Sequence, residues 1–330
     1  MSNTAHKLKI GLTYDLRTDY LADGFSEEET AELDSELTIN AIEAALLKLG
    51  HQTERIGGIK TLTKKLADGN RWDLVFNISE GFFGNSREAQ IPALLDAYEI
   101  PYTFSEPLTL CLALDKPAAK RFVRDHNINT ADFYVVKSPD DLSNVTLPYP
   151  VFCKPANEGS SKGISAFSYA NNHQALQKTV TTLLKQFRQP VLIEEYLPGR
   201  EYTVGIIGTD AKARVLGVME IRLNTSKTEG YSYGNKVNYL DKVTYRLADA
   251  AYKDECGELA LAAWRALGCR DGGRVDIKYD AFNHPAFIEV NPLAGLNPEY
   301  SDLPIMCKLL RVSYDMLIGE ILASAIGRIQ

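Results

Sequence analysis

Two short acidic strands near the end of the chain constrain its fold and chemistry more than any other feature. The first reads Gly-Gly-Arg274-Val-Asp276-Ile-Lys-Tyr, and the second reads Ala-Phe-Ile-Glu289-Val-Asn291-Pro. In both, apolar residues alternate with polar ones, so the polar side chains of each strand share one face. A hairpin that turns at Asn283-His284-Pro285 would bring Asp276, Glu289 and Asn291 together.

Such a cluster has a definite chemistry. Carboxylate and amide oxygens are the ligands that Mg²⁺ prefers, and an arginine beside them can polarise a phosphate. The hairpin is therefore a candidate metal site. Two acidic strands alone leave the alternative open that these side chains form the solvated face of an edge hairpin.

Composition excludes several classes of protein. The chain has 330 residues, 45% of them hydrophobic and 24% charged, which indicates a globular protein of two or three domains. A formal charge of −7 argues against non-specific nucleic-acid binding, which depends on Lys and Arg. No apolar run approaches the roughly 18 residues that span a bilayer, and no signal peptide is recognisable, so we expect no membrane association.

The cysteines indicate a reducing compartment. There are five, an odd number, and none forms a CxxC pair. We therefore expect reduced thiols that serve packing rather than catalysis, in a cytoplasmic protein.

The order of elements predicts an α/β fold. Alternating strands and helices up to residue 104 indicate a small parallel sheet covered by helices, with Ile100–Thr103 as its last strand. Later strands and helices predict two α+β units, with Tyr202–Gly208 and Val215–Ile221 antiparallel. The polar segment Asn224–Tyr239 is typical of a binding loop. We predict three domains, with bounds 1–104, 105–200 and 201–330.

A loop of small residues follows the strand Val151–Lys154 and reads Pro-Ala-Asn-Glu158-Gly159-Ser160-Ser161. Lys154 at the strand end, with a glycine and two serines after it, suits a polyphosphate that approaches the backbone N–H groups. The spacing is not that of a Walker loop. An exposed turn after a strand is the alternative.

A second strand, Val191–Glu195, runs into Glu194, Glu195, Leu197 and then Glu201. Such a strand end suits hydrogen bonds to an adenine and a ribose. Taken singly, it is equally typical of a solvated edge.

In this order, these blocks resemble the ATP-grasp superfamily, and the branch they look most like is the D-alanine–D-alanine ligases. Gly295, in Asn291-Pro-Leu-Ala-Gly295-Leu, adds to the likeness. The resemblance implies an ATP-grasp fold, in which two α+β lobes grip ATP behind a substrate-side N-terminal domain. It also implies an ATP-dependent carboxylate–amine ligase that forms a dipeptide through an acyl phosphate, in peptidoglycan assembly, with amino acids as substrates and, by analogy, a homodimer.

The resemblance also implies roles for individual residues. Those matching the family's ATP site are Lys116, Lys154, Glu158, Gly159, Ser161, Glu194, Glu195, Leu197 and Glu201. Those matching catalytic positions are Arg274, Gly295, Lys236 and Ser160. Asp276 and Glu289 would hold one Mg²⁺, and Glu289 with Asn291 a second, with Mn²⁺ as a candidate substitute.

The chain departs from the family where the amino acids should bind. A family glutamate after the first strand is missing; Glu32 or Glu36 could replace it, but we favour solvated helix charges for both. Glu80 stands where the family has histidine. The family's serine for the second amino acid aligns near Tyr300 and Ser301.

On the segment Asn224–Tyr239, a family tyrosine is replaced by Val237. The changes as a whole leave two further hypotheses open. One is a ligase for another acid and amine. The other is a non-catalytic nucleotide-binding protein, against which the retained metal and arginine positions argue.

Overall fold

The computed structural model describes residues 7–223 and 243–329, which form three β-sheets flanked by helices. The strands are β1 (Lys9–Thr13), β2 (Gln52–Arg55), β3 (Leu74–Asn77), β4 (Phe133–Val136), β5 (Val151–Pro155), β6 (Tyr169–Ala170), β7 (Val191–Glu195), β8 (Glu201–Ile207), β9 (Arg214–Leu223), β10 (Val243–Leu247), β11 (Gly272–Tyr279) and β12 (Pro285–Asn291). The helices are α1 (Arg17–Ala22), α2 (Glu36–Lys48), α3 (Ile59–Ala67), α4 (Gln90–Ala97), α5 (Pro107–Leu114), α6 (Lys116–Asp125), α7 (His173–Phe187), α8 (Ala250–Ala266), α9 (Asp302–Leu310) and α10 (Tyr314–Ile329).

The first sheet is parallel, with the order β2-β1-β3, as the alternation of elements predicts. Ile10 and Phe76 are fully buried, because helices cover both faces of the sheet. The predicted strand at 100–103 is wrong: there the chain makes only an isolated bridge between Val75 and Tyr102. Pro101 lacks a donor for a longer ladder, and the positive φ of 72° at Phe104 turns the chain away.

The second sheet has the order β4-β7-β5-β6 and is antiparallel. Helix α7 covers it with Leu176, Val180 and Leu183, which recur at helical spacing and are buried. The helix begins where Asn172 accepts a hydrogen bond from Ala175 N–H at 2.9 Å. This sheet places Lys154 and Glu194 on adjacent strands.

The third sheet has the order β10-β9-β8-β11-β12. The predicted antiparallel pair is confirmed as β8 and β9. Helix α8 packs on one face through Trp264, which is fully buried and donates its indole N–H to Gly208 O at 3.1 Å. The acidic hairpin, β11 and β12, lies at one edge of this sheet.

Helices α9 and α10 fold back on the beginning of the chain. Leu317 and Ile321 of α10 share a buried core with Ile39 and Ile42 of α2. This return was not predicted, and it carries the segment Gly295–Ser301 to the first domain. The three sheets lie within the three predicted segments, but the domain bounds stay a prediction, because this core crosses between the first and the third.

The structure tests two expectations only in part: that the thiols are reduced, and that the protein does not associate with a membrane. Of the cysteines, Cys111 is half-buried, the other four are buried, and all five are free. None of the helices in the described ranges is long and apolar enough to cross a membrane.

Candidate active site

The acidic hairpin forms as the alternation predicts. Arg274 pairs with Asn291 across the two strands, and Asp276 pairs with Glu289. Residues directly opposite each other in an antiparallel pair point to the same face, so all four side chains meet there. From the neighbouring strand β8, Thr203 donates its hydroxyl to Asp276 Oδ1 at 2.8 Å, which fixes that carboxylate.

Protein cations balance the hairpin carboxylates. Arg274 forms an ion pair with Asp276, and Lys116 lies 3.4 Å from Glu289. Burial raises the pKa of Asp276 to about 6; Arg274 opposes the shift and the charge of Glu289 adds to it. Burial lowers the pKa of Arg274, but Asp276 and further carboxylates outweigh it, so the pKa lies above its usual value.

The same residues fit a hard divalent cation. The described ranges contain no group of three or more His, Cys, Asp or Glu side chains that could hold a metal. The candidate set here is smaller: two carboxylates and the amide of Asn291, whose Nδ2 donates to Asp276 Oδ2 at 3.3 Å. A half-buried pair of carboxylates, one of them with a raised pKa, is an environment that a cation would stabilise.

Two lysines of the second lobe converge on Glu194. Lys154 Nζ lies 2.7 Å from one carboxylate oxygen of Glu194, and Lys120 Nζ lies 2.6 Å from the other. All three are buried. Burial disfavours the charged form of Glu194, yet the two lysines outweigh it and hold its pKa below the usual value. The carboxylate of Glu194 is thus engaged by lysines, whereas the resemblance implies a role in the adenine and ribose groove.

The serine loop, residues 156–161 after β5, is held by three side chains. Glu158 accepts from Gln189 Nε2 at 2.6 Å and pairs with Lys162 Nζ at 2.7 Å. Lys116 Nζ donates to the backbone oxygen of Glu158. Ser160 and Ser161 adopt left-handed backbone conformations, with φ of 47° and 58°. Strain of this kind concentrates at functional loops.

The acidic insertion is the stretch Asp23–Glu36, and Glu32 corrects its interpretation as a solvated segment. Its side chain is only 9% exposed, and Arg87 Nη2 lies 2.9 Å from its carboxylate. The N–H of Gly159 donates to the same carboxylate at 2.6 Å, and a Cβ on Gly159 would come within 2.7 Å of it. A larger residue at this position would displace the Glu32 carboxylate from its present contact. The solvated interpretation is therefore wrong for Glu32, whereas the side chain of Glu36 is 55% exposed.

A cavity lies between the hairpin, the serine loop and the acidic insertion. Its lining includes Glu32, Asp34, Glu80, Glu88, Lys116, Gly159, Ser160, Arg274, Glu289, Asn291, Gly295, Tyr300 and Ser301. Four of the carboxylates come from the first 88 residues and face Arg274 and Lys116. The structure therefore brings the candidate substrate residues and the hairpin to one space.

Acidic groups on the first-domain side of this cavity are poorly compensated. Burial raises the pKa of Glu80 well above its usual value, and the charges of Glu88, Glu32 and Asp34 add to the shift. Burial likewise raises the pKa of Glu88 to about 7. The loop that carries Glu80 is held by Asp15, which accepts from Gly81 N–H at 2.9 Å. This wall would favour a positively charged group of a ligand.

The second-substrate positions, Tyr300 and Ser301, line the same cavity. Ser301 Oγ accepts from Asn297 N–H at 3.0 Å, and a Cβ on Gly295 would meet the same oxygen at 2.8 Å. Tyr300 is half exposed. The hydroxyl of Ser301 is thus engaged within its own turn. The backbone of Gly295 lies close to the same hydroxyl, because glycine has no Cβ.

The remaining predicted positions are less closely grouped. Glu201 pairs with Lys278 Nζ at 2.8 Å, and Leu197 is buried against Ala131 and Ala286. Glu195 is half-buried next to Glu194. Lys236 and Val237 lie outside the described residues.

Several site residues escaped prediction from the sequence. They are Asp15, Asp34, Arg87, Glu88, Lys120, Lys162 and Asp302. Lys120, four residues after Lys116 on the same helix, is the one that helical spacing could have revealed. Lys162 pairs with Glu158, four residues before it, and the others come to the site only through packing between distant segments.

Comparisons with known proteins identify the family to which the chain is similar. The D-ala D-ala ligase C-terminus family matches residues 122–323. The D-alanine–D-alanine ligase of Bordetella petrii is 32% identical over 81% of this chain and 80% of that protein. The D-alanine–D-alanine ligase of Alcanivorax borkumensis is 31% identical over 94% of each.

A solved structure shares the fold. The Bacillus anthracis D-alanine–D-alanine ligase complexed with ATP superposes with a TM-score of 0.73 at 21% identity, over 97% of this chain and 98% of that one. Fold and site together define an ATP-grasp ligase. The chain belongs to the D-alanine–D-alanine ligase family.

Proposed function

We propose that this protein joins the carboxylate of one amino acid to the amine of another, and that it converts ATP to ADP and phosphate as it does so. The observation that carries the proposal is the hairpin face, where Arg274, Glu289 and Asn291 line the same cavity as Lys116 and Gly295. This set pairs anion-binding donors with hard oxygen ligands. A phosphoryl transfer followed by acyl transfer needs both.

The nucleotide is assigned to the cleft between the second and third sheets. Lys154 and Lys116 would neutralise phosphate oxygens, with the N–H groups of the serine loop, Gly159 to Ser161, as further donors. Glu195, Leu197 and Glu201 are assigned to the adenine and ribose. Glu194 would orient Lys154 and, through the same carboxylate, Lys120.

Magnesium is assigned to the hairpin. Asp276 and Glu289 would hold one ion, and Glu289 with Asn291 a second. When bound, the ions supply neutralisation of the charge that develops on the transferred phosphoryl group. The same oxygen ligands accept Mn²⁺, which is an alternative ion.

The chain's own residues then account for both steps. In the first, a substrate carboxylate oxygen attacks the γ-phosphorus, and Lys116 and Lys154 stabilise the ADP that leaves. In the second, the amine attacks the acyl carbon. Arg274 and the N–H of Gly295 donate to the oxygen of the tetrahedral intermediate, and phosphate leaves. Glu32 would hold the ammonium group of the first amino acid, since its carboxylate lines the cavity.

D-alanine is the default for both substrates, with the product a precursor of peptidoglycan. The acidic wall supports a second candidate. Glu80 and Glu88 line the cavity, and within the described ranges neither side chain makes a hydrogen bond or an ion pair. A first substrate with a cationic side chain would compensate them, which D-alanine does not.

Phosphate release from ATP, measured with single and paired D- and L-amino acids, tests the proposal. Release with D-alanine alone supports the default. Release that requires a basic amino acid, and that the Glu80→Gln variant loses, supports the second candidate. Well-folded protein that releases no phosphate with any pair would contradict the ligase assignment. The homodimer and the cytoplasmic location stay predictions, which sedimentation and cell fractionation would test.

A further inference from the structure

We infer that Asp302 is the positioning residue that keeps Arg274 directed at the reacting carboxyl group, an inference that rests on the proposed function. The guanidinium group of Arg274 contacts two carboxylates. Nη1 pairs with Asp276, and Nε lies 3.6 Å from Asp302 Oδ2. The two contacts use different nitrogens of one planar group, so together they define its orientation.

The ion pair between Asp302 and Arg274 is largely shielded from solvent. Its side chain is 7% exposed, and that of Arg274 is 13% exposed. Among the described residues, Arg274 is the one cation paired with Asp302. A carboxylate withdrawn from water is costly unless a cation compensates it. Asp302 is the first residue of α9, where the helix N-terminus also favours a negative charge.

The carboxylates of Asp276 and Asp302 differ in whether they would also bind the metal. Asp276 belongs to the candidate magnesium set, so its oxygens would be shared between the metal and Arg274. Asp302 is outside that set. It would therefore remain the partner of Arg274 throughout the reaction and leave Nη2 for the substrate. In the part of the chain that the structure describes, Nη2 makes no hydrogen bond or ion pair, and Arg274 lines the cavity.

The position also couples two parts of the site. Asp302 follows Ser301, whose hydroxyl accepts from Asn297 N–H. The turn that shapes the second-substrate wall thus ends in the residue that holds the arginine. Movement of this turn would change the direction of the guanidinium group.

A double-mutant cycle in the full chain tests the inference. Asp302→Asn keeps the shape and removes the charge. We expect kcat to fall about 10- to 100-fold with the KM for ATP changed less than threefold, because the arginine is misdirected while the nucleotide site is intact. In an Arg274→Ala background the same substitution should have no further effect, since Asp302 acts through Arg274.

Asp315→Asn is the matched control. Asp315 also lies in the first turn of a helix, α10, but its side chain is 43% exposed and pairs with Lys48. It should leave kcat unchanged. If Asp302→Asn fails to fold, Asp302→Ser keeps a residue suited to a helix start and takes its place.

A spectroscopic measurement separates this inference from the ligase assignment. The Nε–H signal of Arg274, identified by its loss in Arg274→Ala, should exchange with water at least tenfold faster in Asp302→Asn. That result is expected even if no amino acid pair supports turnover. An unchanged exchange rate, or a full kcat effect that persists in the Arg274→Ala background, would overturn the inference.

Discussion

Glu32 and Gly159 stand 127 residues apart in the chain and are joined by a hydrogen bond of 2.6 Å from the glycine N–H to the glutamate carboxylate. This contact ties the acidic insertion to the serine loop, which lie in the first and the second of the three predicted segments. Arg87 completes it from the other side of the same carboxylate. A ligand that binds at either element would therefore meet the other.

Glu32→Gln should destabilise the protein by about 1–3 kcal/mol, because Arg87 is left buried without a countercharge. It should also raise the KM for the first amino acid. Denaturant unfolding and initial rates would measure the two effects. Glu36→Gln is the control: it is exposed, and its pair with Arg55 should contribute at most about 1 kcal/mol. Equal effects of the two substitutions would contradict the role of Glu32.

Asp271→Ala should destabilise the fold by about 3–5 kcal/mol, because it leaves Arg328 without its buried partner. Asp271 is fully buried, lies 2.6 Å from Arg328 Nη2 and accepts from Phe104 N–H at 2.7 Å. It thus joins α10 to the segment that follows β3, at Phe104. Urea unfolding would measure the loss. Asp315→Ala, on the surface, should cost less than about 1 kcal/mol.

Asp34 should make stability depend on pH. Burial raises its pKa to about 7, against a usual value of 3.8. The folded protein therefore binds a proton that the unfolded chain releases, and the stabilisation present below pH 4 is lost as the pH rises to 7. The side chain introduced in the Asp34→Asn variant does not titrate. The melting temperature of the variant should therefore rise relative to that of the wild type as the pH increases from 4 to 7. A constant difference between the two from pH 4 to 8 would contradict this assignment.

Arg274→Ala should reduce ligation about 10²- to 10³-fold and leave ATP binding largely intact. The reason is that we assign the arginine to the reacting group, and Lys116 and Lys154 to the nucleotide. Phosphate release measures the first effect and calorimetry with ATP the second. Unchanged turnover would remove Arg274 from the mechanism.

Chelation of the divalent cation should abolish turnover and weaken ATP binding, and Asp276→Asn should weaken the response to added Mg²⁺. The cause is the loss of one of the two carboxylates, Asp276 and Glu289, that would neutralise the charge of the ion. Titration calorimetry with ATP, with and without Mg²⁺, would show the difference. ATP binding that does not depend on Mg²⁺ would contradict the placement of the metal at the hairpin.

Local patterns were enough to predict the acidic hairpin and the loop after Lys154. The alternation along β11 and β12 sets which side chains share a face, and a short turn leaves little freedom in how the two strands pair. The resemblance to the ligase family rests on motifs in the same segments. These features depend on residues that are close in sequence, which is why they could be recognised without a structure.

Only the tertiary structure decided which charged residues that are distant in sequence pair with each other. The sequence marked Glu32, Lys120, Asp271 and Asp302 as charged residues, a type usually found in solvent. Each is buried here because a remote segment brings an opposite charge to it: Arg87, Glu194, Arg328 and Arg274. Burial of a charge is tolerated only where its partner also arrives, and that meeting is decided by how sheets and helices pack over the whole chain.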